Sequence, residues 1–162
     1  MGKKPRKNTV EALRQIRLLC PNANDSNCYV SSDETTRYNC VALALGDEMR
    51  WWEPTPGAQY YWPTSKNRDY SIGAYIAMFA SLGFVACETS NVEDRYEKVV
   101  IYADSSNEFR HVALQSRTGG WVSKLGDLED VEHDSPEVLE SDIYGTPRMF
   151  MRRELKDQLP LM

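Results

Sequence analysis

Residues 97–124 read EKVVIYADSSNEFRHVALQSRTGGWVSK, and this stretch decides the fold class. Glu97 to Ala103 is a run of Val, Ile and Tyr, the residue types that pack well on a pleated surface, and Asp104-Ser105-Ser106-Asn107 closes it with turn formers. Phe109 to Gln115 makes a second strand. Thr118-Gly119-Gly120 then turns tightly into a third, Trp121-Val122-Ser123-Lys124. Strands joined by such short turns are antiparallel neighbours, because a parallel pair needs a crossover of a dozen residues or more.

Upstream the pattern changes period. Val10 to Leu19 carries apolar residues at Val10, Leu13, Ile16 and Leu18 behind a cap at Asn8-Thr9, which predicts a helix. Cys40 to Leu45 is a short helix stopped by Gly46. Ser71 to Leu82 is a longer one, with Ile72, Tyr75, Ile76 and Phe79 at helical spacing and Gly83 after it. Between these lie a polar loop, Pro21 to Arg37, and an aromatic loop, Asp47 to Arg68, broken by Pro54, Pro56 and Pro63. Phe84 to Cys87 begins a strand, Ser135 to Glu140 reads as a short serine-capped helix, and Thr146 to Arg153 is the final strand. Helices first and an antiparallel meander afterwards make an α+β layout. Residues 1–162 form a single domain, with a flexible basic tail over 1–8 and a core over 37–153.

Net charge of -5 in 162 residues argues against nucleic acid as the partner, since phosphate binding needs a dense basic face. No apolar run approaches the roughly 18 residues of a membrane span. No apolar segment follows the N-terminal charges as a signal peptide requires, so a cytoplasmic location, or export by a non-classical route, is expected. The four cysteines, Cys20, Cys28, Cys40 and Cys87, are too sparse for a disulfide scaffold. With only His111 and His133 as histidines, no metal-ligand spacing appears either, and no cofactor fingerprint is present. Cys20, Cys28 and Cys87 read as structural, Cys28 alone being expected at the surface.

Chemistry concentrates on Cys40. It stands at the start of a helix, where backbone amides and the helix dipole favour a thiolate. His111 lies mid-strand, and Ser123 lies on the next strand twelve positions on (123 − 111 = 12). A thiol nucleophile needs a base within hydrogen-bond reach, and that base needs an orienter on its other nitrogen. Cys40, His111 and Ser123 fill those roles in chain order, and the helix start offers amides to a developing oxyanion. Each residue also has a plainer explanation: cysteine is among the most buried residue types, and a strand histidine is often a satisfied interior one. His133, within the acidic run 127–134, reads as a local cap or pair. Trp51, Trp52, Tyr60, Tyr61 and Trp62 either line a substrate groove or roof the core. Asn39, Trp51, Trp52 and Lys124 are the substrate-binding candidates.

Asn39-Cys40 leading a small-residue helix, followed by His111-Val112-Ala113-Leu114 on a strand, resembles the CHAP and NlpC/P60 branches of the papain-like cysteine hydrolases. Residues 37–153 also resemble an uncharacterised bacterial domain family. The shared features are Tyr38-Asn39-Cys40, Trp51-Trp52, Lys98 to Asp104, His111-Val112-Ala113, Trp121 with Ser123-Lys124 and Gly126, Asp130 to His133, and Tyr144-Gly145. The papain-like resemblance implies N-terminal helices packed on an antiparallel sheet, and a peptidase or amidase acting on a peptide or protein. Those families place Asn, Asp, Glu or His third in the triad. Here Ser123 stands there, with Asp127, Asp130 or His133 as substitutes if their loop folds back. Two other functions use the same residues: a deamidase or acyl-transferase effector or toxin, and a non-catalytic interaction or immunity-type module.

Overall fold

A computed structural model describes residues 10–32, 35–64, 68–126 and 128–155. The Asn8-Thr9 cap, the basic tail and Asp127 lie outside the described residues.

Seven strands form one sheet: β1 (Cys28–Val30), β4 (Val85–Cys87), β5 (Tyr96–Ala103), β6 (Phe109–Gln115), β7 (Trp121–Lys124), β8 (Asp130–His133) and β9 (Thr146–Glu154). Their order is β1-β8-β7-β6-β5-β9-β4, and every pairing is antiparallel. A separate two-residue parallel pair joins β2 (Trp51–Trp52) to β3 (Tyr60–Tyr61). The helices are α1 (Val10–Leu19), α2 (Cys40–Ala44) and α3 (Ile72–Ser81), and a 3-10 turn covers Pro136–Leu139. Among the described residues, no helix is long and apolar enough to cross a membrane.

The papain-like α+β expectation, helices at the N-terminus packed on an antiparallel sheet, is corrected by this arrangement. The molecule is sheet-rich, and its helices are short, α2 having only five residues. Two strands hide in polar sequence. Cys28-Tyr29-Val30 lies inside the stretch that reads as loop, yet it alternates buried–exposed–buried and pairs with β8. Asp130 to His133 lies in an acidic run, yet it pairs on both edges. The first has only three apolar residues in a polar setting and the second only Val131 among polar ones, so long-range backbone pairing, not local propensity, makes these strands. Nor is the sheet a simple meander, since β9 returns from the far end and enters between β5 and β4.

The core occupies both faces of the sheet. Val99 to Ala103 are all 0 % exposed, which explains why β5 reads as an unbroken apolar run instead of alternating. On one face Val100, Tyr102, Ala113 and Val131 pack under Ile16 of α1 and Leu139. On the other, Val99, Ile101, Val112 and Met151 pack under Val41 and Ala42 of α2, Tyr75 and Phe79 of α3, and Trp52 and Trp62. Leu18, expected on the buried stripe of α1, is 77 % exposed. Cys28 departs in the opposite sense: strand pairing carries it from the polar segment to complete burial.

Gly145 sets the entry to β9. Its φ is +75°, and a Cβ there would lie 2.4 Å from the Ala103 carbonyl oxygen, so only glycine fits the crossing.

Candidate functional site

Strand register assembles the polar residues of the site. Trp121 pairs with His133 and Ser123 with Val131 across β7 and β8, so Ser123 and His133 are diagonal neighbours on one face. Continuing the β6–β7 register of Leu114 with Val122 and Gln115 with Trp121 places His111 diagonally from Ser123 on that same face. The side chains meet accordingly: His111 Nε2 lies 2.9 Å from Ser123 Oγ, and Ser123 Oγ lies 2.8 Å from His133 Nε2. His133 Nδ1 lies 2.8 Å from the Ser135 carbonyl oxygen. All three side chains are buried, and the rings of Tyr102 and Tyr144 flank His111, each with its centroid 5.1 Å away.

The chain has a direction, fixed by its last member. A carbonyl only accepts, so His133 Nδ1 carries the proton and donates it. Burial holds His133 neutral, pushing it down to about 4, so its Nε2 is a lone pair that takes the Ser123 hydroxyl proton. The Ser123 oxygen must then accept from His111 Nε2–H. Burial, followed by the neighbouring His133, pushes His111 down to about 3, so at neutral pH this imidazole is uncharged and its Nδ1 is unprotonated. Among the described residues Nδ1 makes no hydrogen bond, which leaves it as a base.

The sulfur is placed by one side chain. Asn39 caps α2, its Oδ1 accepting from the Ala42 amide at 3.2 Å. The same Oδ1 accepts from the Trp52 amide at 3.2 Å, and Nδ2 donates to the Trp52 carbonyl at 2.7 Å. Asn39 thus ties the start of α2 to the aromatic segment. Helix α2 packs against β6 and β7. Burial pushes the Cys40 thiol up to about 11. The amides of Val112, Val41 and Cys40 and the charge of Lys124 act against that rise. The expectation of a helix-stabilised thiolate is therefore corrected: a five-residue helix carries little dipole, and desolvation outweighs it. At neutral pH the pair is a neutral thiol and a neutral imidazole.

Cys40 and His111 line the same cleft, of about 290 Å³, with Asn39, Trp51, Tyr75 and Tyr144 among the walls. Tyr75 stacks on Phe109 with centroids 3.6 Å apart. The other substrate-binding candidates lie elsewhere. Trp52 is 6 % exposed and belongs to the core, bonding its indole N–H to Asp47 at 2.9 Å. Lys124 is 0 % exposed, and its ammonium donates to the carbonyls of Gly126 and Leu128. It acts on Cys40 through its charge, not by reaching the cleft. Of the residues offered as substitutes for Ser123, Asp130 accepts from the Tyr38 hydroxyl at 2.8 Å and sits apart from the histidine chain, whereas His133 is part of it.

The local pairing expected of His133 is its bond to the Ser135 carbonyl, and the bond to Ser123 comes in addition. The alternation in Asp130-Val131-Glu132-His133 was the available signal, since it puts Val131 and His133 on one strand face. Among the described residues no group of three or more His, Cys, Asp or Glu side chains gathers to hold a metal.

A family described as "Domain of unknown function (DUF7689)" matches residues 29–152, a span that holds every residue of the histidine chain and of the cleft named above. No curated protein and no solved structure matches the chain.

Proposed function

The chain belongs to the DUF7689 family, and we propose that it is a thiol hydrolase acting on an amide bond of a peptide or protein. The observation that carries this reading is the directed chain from Ser135 through His133 and Ser123 to His111, which leaves an uncharged imidazole with a lone pair in the cleft that holds Cys40.

In the proposed reaction His111 Nδ1 takes the Cys40 proton as the sulfur attacks the carbonyl carbon. The backbone amides of Cys40 and Val41, which lie beside the sulfur, donate to the developing oxyanion. His111 then gives that proton to the leaving amine as the C–N bond breaks, forming a thioester. Water, deprotonated by His111, hydrolyses the thioester and restores the thiol. Throughout, Nε2–H keeps its bond to Ser123, and the aligned His133 and Ser135 carbonyl strengthen that bond while His111 is charged. This offsets the weakness of a lone serine as partner of an imidazolium.

Replacing water by an amine acceptor gives acyl transfer, and a glutamine side-chain substrate gives deamidation. These outcomes share every step up to the thioester. A test that precedes the choice is acylation by p-nitrophenyl acetate, followed by intact-mass and peptide mapping. The expected result is an acetyl group on Cys40, slowed by about 10²-fold or more in His111→Ala, the usual worth of a positioned base. Equal labelling of Cys87, or labelling of Cys40 that ignores His111, would leave only the non-catalytic module.

A further inference from the structure

The cleft beside Cys40 contains one charge that no described residue neutralises. Two ionised side chains line it, Glu53 and Arg110. Arg110 is already engaged: its Nε lies 2.9 Å and its second terminal nitrogen 2.8 Å from Asp104 Oδ2. The carboxylate of Glu53 is held differently. One oxygen accepts from the indole N–H of Trp51 at 2.7 Å, and the other accepts from the hydroxyl of Tyr70 at 2.7 Å. Trp51 and Tyr70 both line the cleft, so the carboxylate is fixed between two cleft walls. Tyr70 is itself pinned by a short hydrogen bond with Thr55. Both donors are neutral, and no cation among the described residues forms an ion pair with Glu53.

We propose that Glu53 is the recognition point for a protonated amine on the substrate, so that the cleft selects peptides presenting a free ammonium group close to the attacked carbonyl. The inference rests on the reading of this cleft as the substrate site of a thiol hydrolase. Three observations converge on it. A carboxylate oriented by two neutral donors has lone pairs left for an N–H donor. Trp51, Tyr75 and Phe109 are among the walls of the cleft, and aromatic rings attract an ammonium. The cleft, about 290 Å³, lies at the lower limit of small-molecule sites, so an amine held at Glu53 lies within a residue or two of a carbonyl at Cys40. An anionic substrate group would meet Glu53 unscreened, while the Arg110 guanidinium is already bonded to Asp104.

The test separates binding from turnover. Cys40→Ala protein, labelled with ¹⁵N, is titrated with the dipeptide amide of two alanines and with its N-acetylated counterpart at pH 6.5, where the α-amine is protonated. The free amine is expected to bind about tenfold more tightly, the worth of one charge-assisted hydrogen bond, and to shift the Trp51 indole resonance. Glu53→Gln in the same background keeps the acceptor for Trp51 but removes the charge, and should erase the preference. Equal or tighter binding of the acetylated peptide overturns the proposal. So does a preference that survives Glu53→Gln, or no binding of either peptide. Turnover of the free-amine peptide by the wild-type protein is followed separately. If the preference holds without turnover, the hydrolase reading fails and the amine site stands; turnover that ignores the amine has the opposite meaning.

Discussion

Two cysteine neighbourhoods lie on opposite faces of the same sheet. Cys28 joins Cys20 in the core under α1, and burial pushes both thiols up to about 12, Cys28 also feeling Cys20 and Asp134. Cys40 packs against the other core, and burial pushes it up to about 11. By thiol acidity alone the two regions look alike. What differs is everything around the sulfur. Cys40 has three backbone amides and a buried lysine acting on its sulfur and shares a cleft with His111, whereas burial, Cys20 and Asp134 act on Cys28, whose cross-strand partner is His133. A perturbed pKa therefore does not single out a site here, and the proposal rests on the arrangement of donors and acceptors instead.

The largest expected effect breaks the comparison outright. Cys40→Ala should lower turnover of an amide substrate by about 10³-fold or more while the thermal midpoint moves little, since Cys40 is only partly buried. Cys28→Ala should do the reverse, costing about 1 kcal/mol of stability for the methyl-sized void while activity per folded molecule stays constant. Paired melting curves and rate measurements decide it. A Cys40→Ala protein that retains turnover, or a Cys28→Ala protein that loses it in the folded state, would merge the two regions.

Acid should reveal the histidine chain in stability. His111 and His133 sit at about 3 and 4 in the folded protein, below the ordinary 6.5, so the unfolded chain binds protons first as pH falls. Their contribution is fully present above about pH 6.5 and is lost progressively toward pH 4 and 3, to a total on the order of a few kcal/mol. The cysteines act at the other limit. Their folded values are raised, so their contribution is full below about pH 9 and declines as pH rises toward 11 and 12. Urea unfolding across this range should give a plateau between about 6.5 and 9, and a stability that climbs on acidification below 6.5 would refute the neutral pair.

Ser123→Ala sharpens the comparison by cutting the chain in its middle. It strands the His111 N–H and the His133 lone pair in a buried place, at a cost of about 1–3 kcal/mol, and frees His111 to change tautomer. Turnover should fall by about 10- to 10²-fold, less than for loss of His111 itself. The ¹⁵N shifts of His111 report the tautomer directly. In the wild-type protein Nε2 should be the protonated nitrogen, and Nδ1–H there would reverse the direction of the whole chain.

Legibility in the sequence followed the same division. Strands β5, β6 and β7 and helix α3 were readable because their residues carry a period or an apolar run of their own. His111 and Ser123 were readable as neighbours because a tight turn at Thr118-Gly119-Gly120 brings β6 and β7 together. Strands β1 and β8 were not, since segments of three and four residues, one inside a polar loop and the other mostly acidic, form only when each finds the other. With β8 went His133, for which the alternation of the segment gives a face but not the register that brings it to Ser123. Glu53 escaped for a related reason: its meaning comes from Trp51 and Tyr70, seventeen positions separating it from the latter (70 − 53 = 17), meeting at one cleft.

The smallest expected effect concerns how each sulfur is held. Cys28 is positioned by the backbone ladder of β1 on β8, which does not depend on side chains. Cys40 depends on Asn39, whose one amide group caps α2 and grips both backbone atoms of Trp52. Asn39→Ser keeps an acceptor for the Ala42 amide but loses the 2.7 Å bond to the Trp52 carbonyl, leaving that carbonyl buried and unmatched. The cost should be about 1 kcal/mol in global stability. Hydrogen exchange should localise the loosening to α2 and to Trp51–Trp52, with the amides of β1 and β8 unchanged. Turnover should drop by only a few-fold, because the imidazole and its chain stay in place while the sulfur moves relative to them. Equal loosening on both faces of the sheet would mean that Asn39 supports the whole fold and not the cleft alone.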